Sequence, residues 1–413
     1  MAELFKVLTL DEARAVITRH LPGKRAGVVV PIMESLDRCL AAEVRGVDDV
    51  PAFNRSTVDG YAVKAKDTYG ASDGTPSYLD VGGEVLIGQA PSGQVKMGQA
   101  WYIATGGMLP AGADAVVMVE YTEELDSRTI GINRPVAPGE NVIRRGEDIA
   151  AGEVALTAGH RVRPQDLGLL SSIGITEVEV AFKTRVGIIS TGDELINPQE
   201  KPYPGQIRDI NSYVLYGAVA DSGGVPRLYG IVPDDYDKMR MILERALGEN
   251  DMVLISGGSS VGARDIVFKV IAAAGKPGVI FHGISVKPGK PTAGAFIGSK
   301  PLFGLPGHPA SALVIFELLV APLLRKGAYP ACAEDFAMEF PVKAVITRSL
   351  HSAAGREEYI RIKLKVKEGQ LFAEPVLGKS GLINTMIKAD GLARIPSGKE
   401  GVEAGEMVEV KLF

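Results

Sequence analysis

The sequence predicts a multidomain α/β protein: a doubly wound α/β domain, an inserted small all-β module and a terminal β region. Three observations predict it. From 184 to 326 short apolar runs alternate with helix-forming stretches, residues 48–148 carry short alternating runs broken by Gly and Pro, and β-like residues return after 330. A chain of 413 residues is long enough for about two to four domains with ordinary cores. Apolar residues at 46% and charged residues at 23% are those of a globular chain. No run approaches the roughly twenty apolar residues of a membrane span, and the N-terminus lacks a basic segment followed by an apolar one. The expectation is therefore a cytoplasmic protein with no membrane partner. Cys39 and Cys332 are too few and too far apart for a disulfide framework or a zinc site, and the five histidines have no ligand spacing. With net charge −5 and no basic run, nucleic acid is not an expected partner.

In chain order, Thr9-Leu-Asp-Glu12 is a capping box that starts a helix running to about Thr18. The run at 27–31 reads as a strand and 35–42 as a short amphipathic helix. Within the β module, Glu84-Val-Leu-Ile-Gly88 and Ala115-Val-Val-Met-Val-Glu120 are strand-like. Residues 164–173 read as a helix and 177–180 as a strand. The α/β segment then reads as strands at 186–189, 228–232 and 253–255, alternating with helices at 214–220, 236–247 and 266–274. The β-like runs of the last region are 342–347, 358–366 and 408–412.

Three loops in the α/β segment are built to meet oxyanions. Ser256-Gly257-Gly258-Ser-Ser-Val-Gly262-Ala-Arg-Asp265 follows a continuous apolar run and precedes a helix, an arrangement that exposes backbone N–H groups and a helix N-terminus to phosphate. It matches neither GxGxxG nor a P-loop, so it carries no nucleotide motif by itself. Lys287-Pro-Gly-Lys290-Pro291 adds two ammonium groups held by prolines, and Gly304-Leu-Pro306-Gly307-His-Pro309 is a tight turn with Pro309 placed to start a helix over 310–325. Val186-Gly-Ile-Ile-Ser190-Thr-Gly-Asp-Glu194 is a near-repeat of 253–258, so two similar loops would end side by side at the carboxyl edge of one sheet. Ordinary loop punctuation is the simpler account of each loop alone. Asp193, Glu194, Asp234, Asp235 and Asp265 would lie near the same edge and suit a hard cation such as Mg²⁺, although helix capping also explains Asp235 and Asp265. In the β module, Asp59-Gly60 reads as a turn or as an acid aimed at a cleft. Thr105 in Ala-Thr-Gly-Gly is equally open, and Arg144-Arg145-Gly-Glu-Asp148 reads by default as a solvated, salt-bridged loop.

Taken in order, Asp59-Gly-Tyr-Ala, Thr105-Gly, Arg144-Arg-Gly-Glu-Asp148, Ser190-Thr-Gly-Asp-Glu194, Ser256-Gly-Gly with Val261-Gly and Asp265, Lys287-Pro-Gly-Lys-Pro291 and Gly304-Leu-Pro-Gly-His-Pro309 resemble molybdopterin molybdenumtransferase. This is the MoeA family, which includes the gephyrin E domain. The resemblance implies a domain similar to molybdopterin adenylyltransferase (1–24 and 184–329), a linking α/β domain (25–48 and 150–183), an inserted β-rich domain (49–149) and a C-terminal β-barrel domain (330–413). It also implies a homodimer with the cleft between subunits. The implied reaction transfers molybdate to the dithiolene of adenylylated molybdopterin and releases AMP, with Mg²⁺ as cofactor. The implied supplier of substrate is the adenylyltransferase, with molybdopterin synthase or apo-molybdoenzyme chaperones as further partners.

Carried over by residue, Asp59, Asp148, Glu194, Asp265, Lys287 and Lys290 would be catalytic. Thr105, Arg145, Ser256, Gly257, Gly258, Gly262, Pro306, Gly307, Pro309, Lys379 and Ser380 would bind substrate, with Arg145, Lys379 and Ser380 suited to molybdate. Asp193, Glu194 and Asp265 would serve the metal. Gly283, where the family often has Lys, Asn54-Arg-Ser-Thr-Val58, and His308 in place of Asn are departures that bear on a preference between tungstate and molybdate. Two rival readings are adenylyl transfer from ATP to molybdopterin and a non-catalytic scaffold. The inserted module argues against the first, and the want of linker and partner-docking sequence against the second.

Overall fold

The computed structural model describes residues 7–21, 27–257, 261–325 and 340–413, with the side chains of 261–265 left aside. The chain divides into two compact units: residues 29–36 and 42–178 in one, and the remainder in the other.

The larger unit is built on a six-stranded sheet. Its strands lie in the order Val225–Val232, Arg185–Thr191, Met252–Gly257, Lys300–Leu305, Ala293–Ile297 and Pro277–His282. The first four run parallel, Ala293–Ile297 is antiparallel to its neighbours on both sides, and the edge strand Pro277–His282 again runs in the direction of the first four. The doubly wound sheet expected from the sequence is therefore mixed. The physical reason is the tight turn after Ile297, which returns the chain directly into Lys300–Leu305 with no crossover helix. Val253, Leu254 and Ile255 are buried, as both-face burial demands of central parallel strands.

Helices Asn211–Asp221, Tyr236–Glu249 and Val261–Ala274 connect these strands, the first packing on one face of the sheet and the other two on the opposite face. The helix Leu10–His20 buries Leu10, Ala13 and Ile17 in the same core and starts on the expected capping box, with Glu12 N–H donating to Thr9 Oγ1 at 3.2 Å. From Pro309 to Arg325 the chain stays helical with a π turn over Phe316–Val320.

The C-terminal region closes a five-stranded barrel: Glu357–Lys367, Gln370–Pro375, Val342–Ile346, Met407–Leu412 and Gly391–Ile395, which pairs back to the first. Closure leaves no free sheet edge. Among the links that tie the barrel to the α/β sheet, a strand pairing and a buried ion pair stand out. Val286–Lys287 pairs in parallel with Glu357 and Glu358, and Glu317, only 7% exposed, pairs with Arg325 at 3.1 Å and with Lys411 of the barrel. Glu317→Gln would leave two cations without their buried carboxylate. A loss of about 2–3 kcal/mol is expected, less than for a wholly buried pair because Arg325 is partly hydrated, and thermal unfolding of the variant measures it.

In the smaller unit a six-stranded sheet runs Ala115–Met118, Gly60–Val63, Gln99–Ile103, Ser77–Val85, Thr129–Ile132 and Thr122–Asp126. Gly60 sits where an added Cβ would meet the Val117 carbonyl oxygen at 1.9 Å, so glycine is required by the strand pairing and not only by a turn. The helix expected over 35–42 is not formed. The chain makes a single 3-10 turn over Ile32–Glu34, then Asp37 takes φ +62° and Leu40 bridges to Val180. A left-handed residue in the middle of the stretch ends any helix. The 164–173 helix and 177–180 strand are present as Pro164–Ser172 and Glu177–Ala181. Asp166 in its first turn accepts hydrogen bonds from the Arg163 guanidinium and His160 and is held well below the usual carboxylate range by the Arg163 contact first.

Candidate active site

Parallel pairing of Ser190 with Ser256 and Thr191 with Gly257, and of Ser256 with Leu305, brings three strand ends level. Three recesses open along this carboxyl edge, and His308 borders all of them.

The first is a cleft of about 610 Å³ between the sheet edge and the barrel. It gathers Lys287, Lys290 and Pro306 with Lys379 and Ser380 of the barrel loop, and adds Arg356 and Arg361. The loop is seated by its backbone, since Ala310 N–H donates to the Ser380 carbonyl at 3.1 Å, and by Ser380 Oγ against His308 Nδ1 at 3.0 Å. Arg361, which the sequence reading missed, donates to Thr385 Oγ1 and to the Gly378 carbonyl, both at 2.8 Å. Burial pulls its guanidinium below the usual value, the cost of holding a cation there for an anion to meet.

The second recess, about 340 Å³, is lined by Thr191, Glu194, Asp209, Asn211, Ser256, Gly257, Gly307 and Pro309. Gly192 has φ +152°, and a Cβ on it would come 2.7 Å from the Glu194 carboxylate, so glycine lets Glu194 fold back over the turn. Asp193 Oδ1 accepts from Asp234 N–H at 3.0 Å, and Asp234 Oδ1 accepts from Thr191 Oγ1 at 3.0 Å. Burial, then the fields of Asp193 and Glu194, push the Asp234 carboxyl up, while the Thr191 hydroxyl opposes them. Asp235 instead caps the Tyr236–Glu249 helix by accepting from Lys238 N–H at 2.9 Å.

Behind this recess lies a buried polar network that the sequence reading also missed. Ser190 Oγ contacts Asp209 Oδ1 and Ser212 Oγ, while the Asn211 amide donates to Ser256 Oγ at 2.7 Å and to the Gly307 carbonyl at 2.8 Å. The signal was Asp209-Ile-Asn211-Ser212 at the start of a helix, which reads as capping. Asp209 does accept from Ser212 N–H. The third recess, about 210 Å³, is mostly apolar, with Ile255, Val267, Phe268, Ala293 and Leu305 around Gly257, Gly304 and Gly307.

Gly258 falls outside the described residues, as does the side chain of Asp265. Gly262 lies in the first turn of the Val261–Ala274 helix. Gly283 has φ +96°, a backbone conformation that suits glycine better than lysine. Asp59, Thr105, Arg145 and Asp148 lie in the smaller unit. There Asp59 Oδ1 accepts from Thr105 N–H at 2.6 Å and Oγ1 at 2.8 Å, and these bonds hold its carboxyl below the usual value. Arg145 Nε pairs with Asp49 at 2.6 Å, and Asp148 is exposed.

The larger unit is thus an α/β protein whose sheet edge presents a cationic cleft for an oxyanion beside a recess rich in acceptors. Profile matches name the family: "MoeA N-terminal region (domain I and II)" over 8–174, "Probable molybdopterin binding domain" over 187–326, and "MoeA C-terminal region (domain IV)" over 343–413. The chain belongs to the MoeA family, the molybdopterin molybdenumtransferases of molybdenum cofactor biosynthesis. It is 38% identical to a putative molybdopterin biosynthesis protein of Methanocaldococcus jannaschii over 96% of this chain and 95% of that one. It is 35% identical to the molybdopterin molybdenumtransferase of Bacillus subtilis, over 93% and 89%. The crystal structure of a molybdopterin biosynthesis protein from Pyrococcus horikoshii OT3 superposes with a TM-score of 0.82 at 34% identity, over 99% of this chain and all of the other.

Proposed function

We propose that this chain transfers molybdate to the dithiolene of adenylylated molybdopterin and releases AMP, assisted by Mg²⁺, and that it acts as a homodimer in the cytoplasm. Its substrate would come from a molybdopterin adenylyltransferase. The observation that carries the reading is the juxtaposition, around His308, of a cleft walled by Lys287, Lys290, Arg356, Arg361 and Lys379 with the Glu194 recess. Lysines at the cleft neutralise the phosphates, and Ser256, Gly257 and the Pro306-Gly307 turn offer backbone and hydroxyl groups to them. Lys379 and Ser380 suit molybdate. Phosphoanhydride cleavage needs charge stabilisation and in-line placement more than covalent help.

The residues present fit Mg²⁺. Asp193, Glu194 and Asp234 lie close together: Asp193 Oδ1 accepts from Asp234 N–H at 3.0 Å, and the fields of Asp193 and Glu194 add to burial in raising the Asp234 carboxyl. Among the described residues no three ligand side chains converge on one point, so substrate oxygens would complete a hexacoordinate shell, with Asp265 as a further candidate. Bound there, the ion would supply charge neutralisation to the pyrophosphate.

In this reading a molybdate oxygen attacks the adenylyl phosphorus, the phosphoanhydride bond breaks and the pterin phosphate leaves; the two dithiolene sulfurs then displace that oxygen from molybdenum, so AMP departs carrying it and the metal stays on the sulfurs. Incubation with ¹⁸O-molybdate in ordinary water is then expected to place label in AMP. Label arriving only from ¹⁸O-water would overturn the route.

A further inference from the structure

The cleft holds a carboxylate of its own. Glu358 is the one acidic side chain among its described lining residues, against Lys287, Lys290, Arg356, Arg361 and Lys379. It is also well fixed. Lys287 Nζ lies 2.6 Å from Glu358 Oε1, Ser352 Oγ donates to Oε2 at 2.8 Å, and the carboxylate-bearing side chain is only 12% exposed. Its backbone is pinned too, because Glu358 pairs with Lys287 in the short parallel ladder that joins barrel to lysine loop. Lys287, which the sequence offers as a free phosphate ligand, is therefore already neutralised.

We propose that Glu358 is a resident counter-ion that sets the anion selectivity of the cleft. This rests on the reading of the cleft as the oxyanion site of the proposed reaction. An arriving oxyanion must share or displace the Lys287 contact against the field of a fixed negative charge whose own side chain is largely shielded from water, although Lys287 is half-exposed. Sulfate, phosphate and other small ambient anions have nothing to offset that cost. A ligand that also fills the neighbouring recesses does, so the acid keeps small dianions, molybdate included, from filling the cleft on their own and admits the large substrate. Specificity of this kind comes from a built-in repulsive element as much as from attraction. A cleft with five fixed cations and no acid would instead stay filled with whatever dianion is abundant.

The test is calorimetric titration of the full-length protein with sodium sulfate and with sodium molybdate, at constant ionic strength, for wild type, Glu358→Gln and Ser352→Ala. Removing one charge at close range should tighten binding of either dianion by about tenfold or more in Glu358→Gln. Ser352→Ala, which only loosens the carboxylate, should give a smaller gain in the same direction and stands in if the first variant folds poorly. Unchanged or weaker binding in both variants would mean that Glu358 merely positions Lys287, and the proposal fails. If neither anion binds any of the three proteins, the cleft is not an oxyanion site and the broader reading falls with it. Isotope results that refute attack by molybdate leave this titration unaffected.

Discussion

Gly257→Ala is expected to reduce turnover at least a hundredfold and to destabilise the larger unit by about 3–5 kcal/mol. Gly257 has φ +134°, and a Cβ built on it would lie 2.0 Å from the Thr191 carbonyl oxygen and 2.9 Å from its carbon. Thr191 is its direct partner in the parallel ladder, so neither backbone can retreat without opening the sheet at the point where both loops leave it. The methyl group therefore costs twice, once in overpacking and strain and once by spreading Ser190-Thr191 from Ser256-Gly257. Gly304→Ala is the control. It lies on the next strand, where a Cβ would rest 3.4 Å from the Ala293 methyl, an ordinary contact. Its thermal midpoint should stay near that of the wild type. Thermal unfolding and steady-state AMP release measured on both proteins separate the two cases, and a Gly257→Ala enzyme with normal turnover would show that the two loops need not be level.

That ladder also explains what could be read in advance. The echo between 186–194 and 253–258 is a one-dimensional trace of two neighbouring strands, and the apolar runs were continuous because both faces of those strands are buried. Glycine and lysine loops declare themselves because few sequences need them. The barrel loop is another matter. Nothing in Lys379-Ser380 says that it returns to the His308 turn, since that depends on closure of five strands and one hydrogen bond between backbones 70 residues apart. The stretch 35–42 had the apolar spacing of a helix but carries Asp37 in a left-handed conformation, which depends on tertiary context. Glu358 hid for the opposite reason: it stands in an ordinary strand, and only the pairing with Val286–Lys287 gives it a meaning. Asn211 and Asp209 hid because a polar residue just before a helix has capping as its ordinary explanation.

Asn211 nonetheless carries the second large expectation. The residue is 8% exposed, and its amide nitrogen faces the Gly307 carbonyl, an atom that can only accept, so the amide orientation is fixed by chemistry. Among the described residues its buried Oδ1 has no hydrogen-bond partner. One amide thus braces the Ser256 hydroxyl and the Gly307 carbonyl at once, at the expense of an orphaned acceptor that costs about 1–3 kcal/mol. A residue selected for stability alone would not leave that oxygen unsatisfied. Two substitutions divide the roles. Asn211→Ala removes both donated bonds and also the orphan, so a net loss of only about 1–2 kcal/mol is expected, together with a fall of tenfold or more in kcat/KM as the two loops lose their brace. Asn211→Asp keeps the shape but sets an anionic oxygen against the Gly307 carbonyl and close to Asp209, itself 6% exposed. That variant should lose about 3–5 kcal/mol and bind AMP far more weakly than Asn211→Ala does. Denaturant unfolding and AMP titration of the pair decide between brace and mere packing: if Asn211→Ala loses stability and activity in the same proportion as Asn211→Asp, the amide is part of the core and the loops hold their own positions.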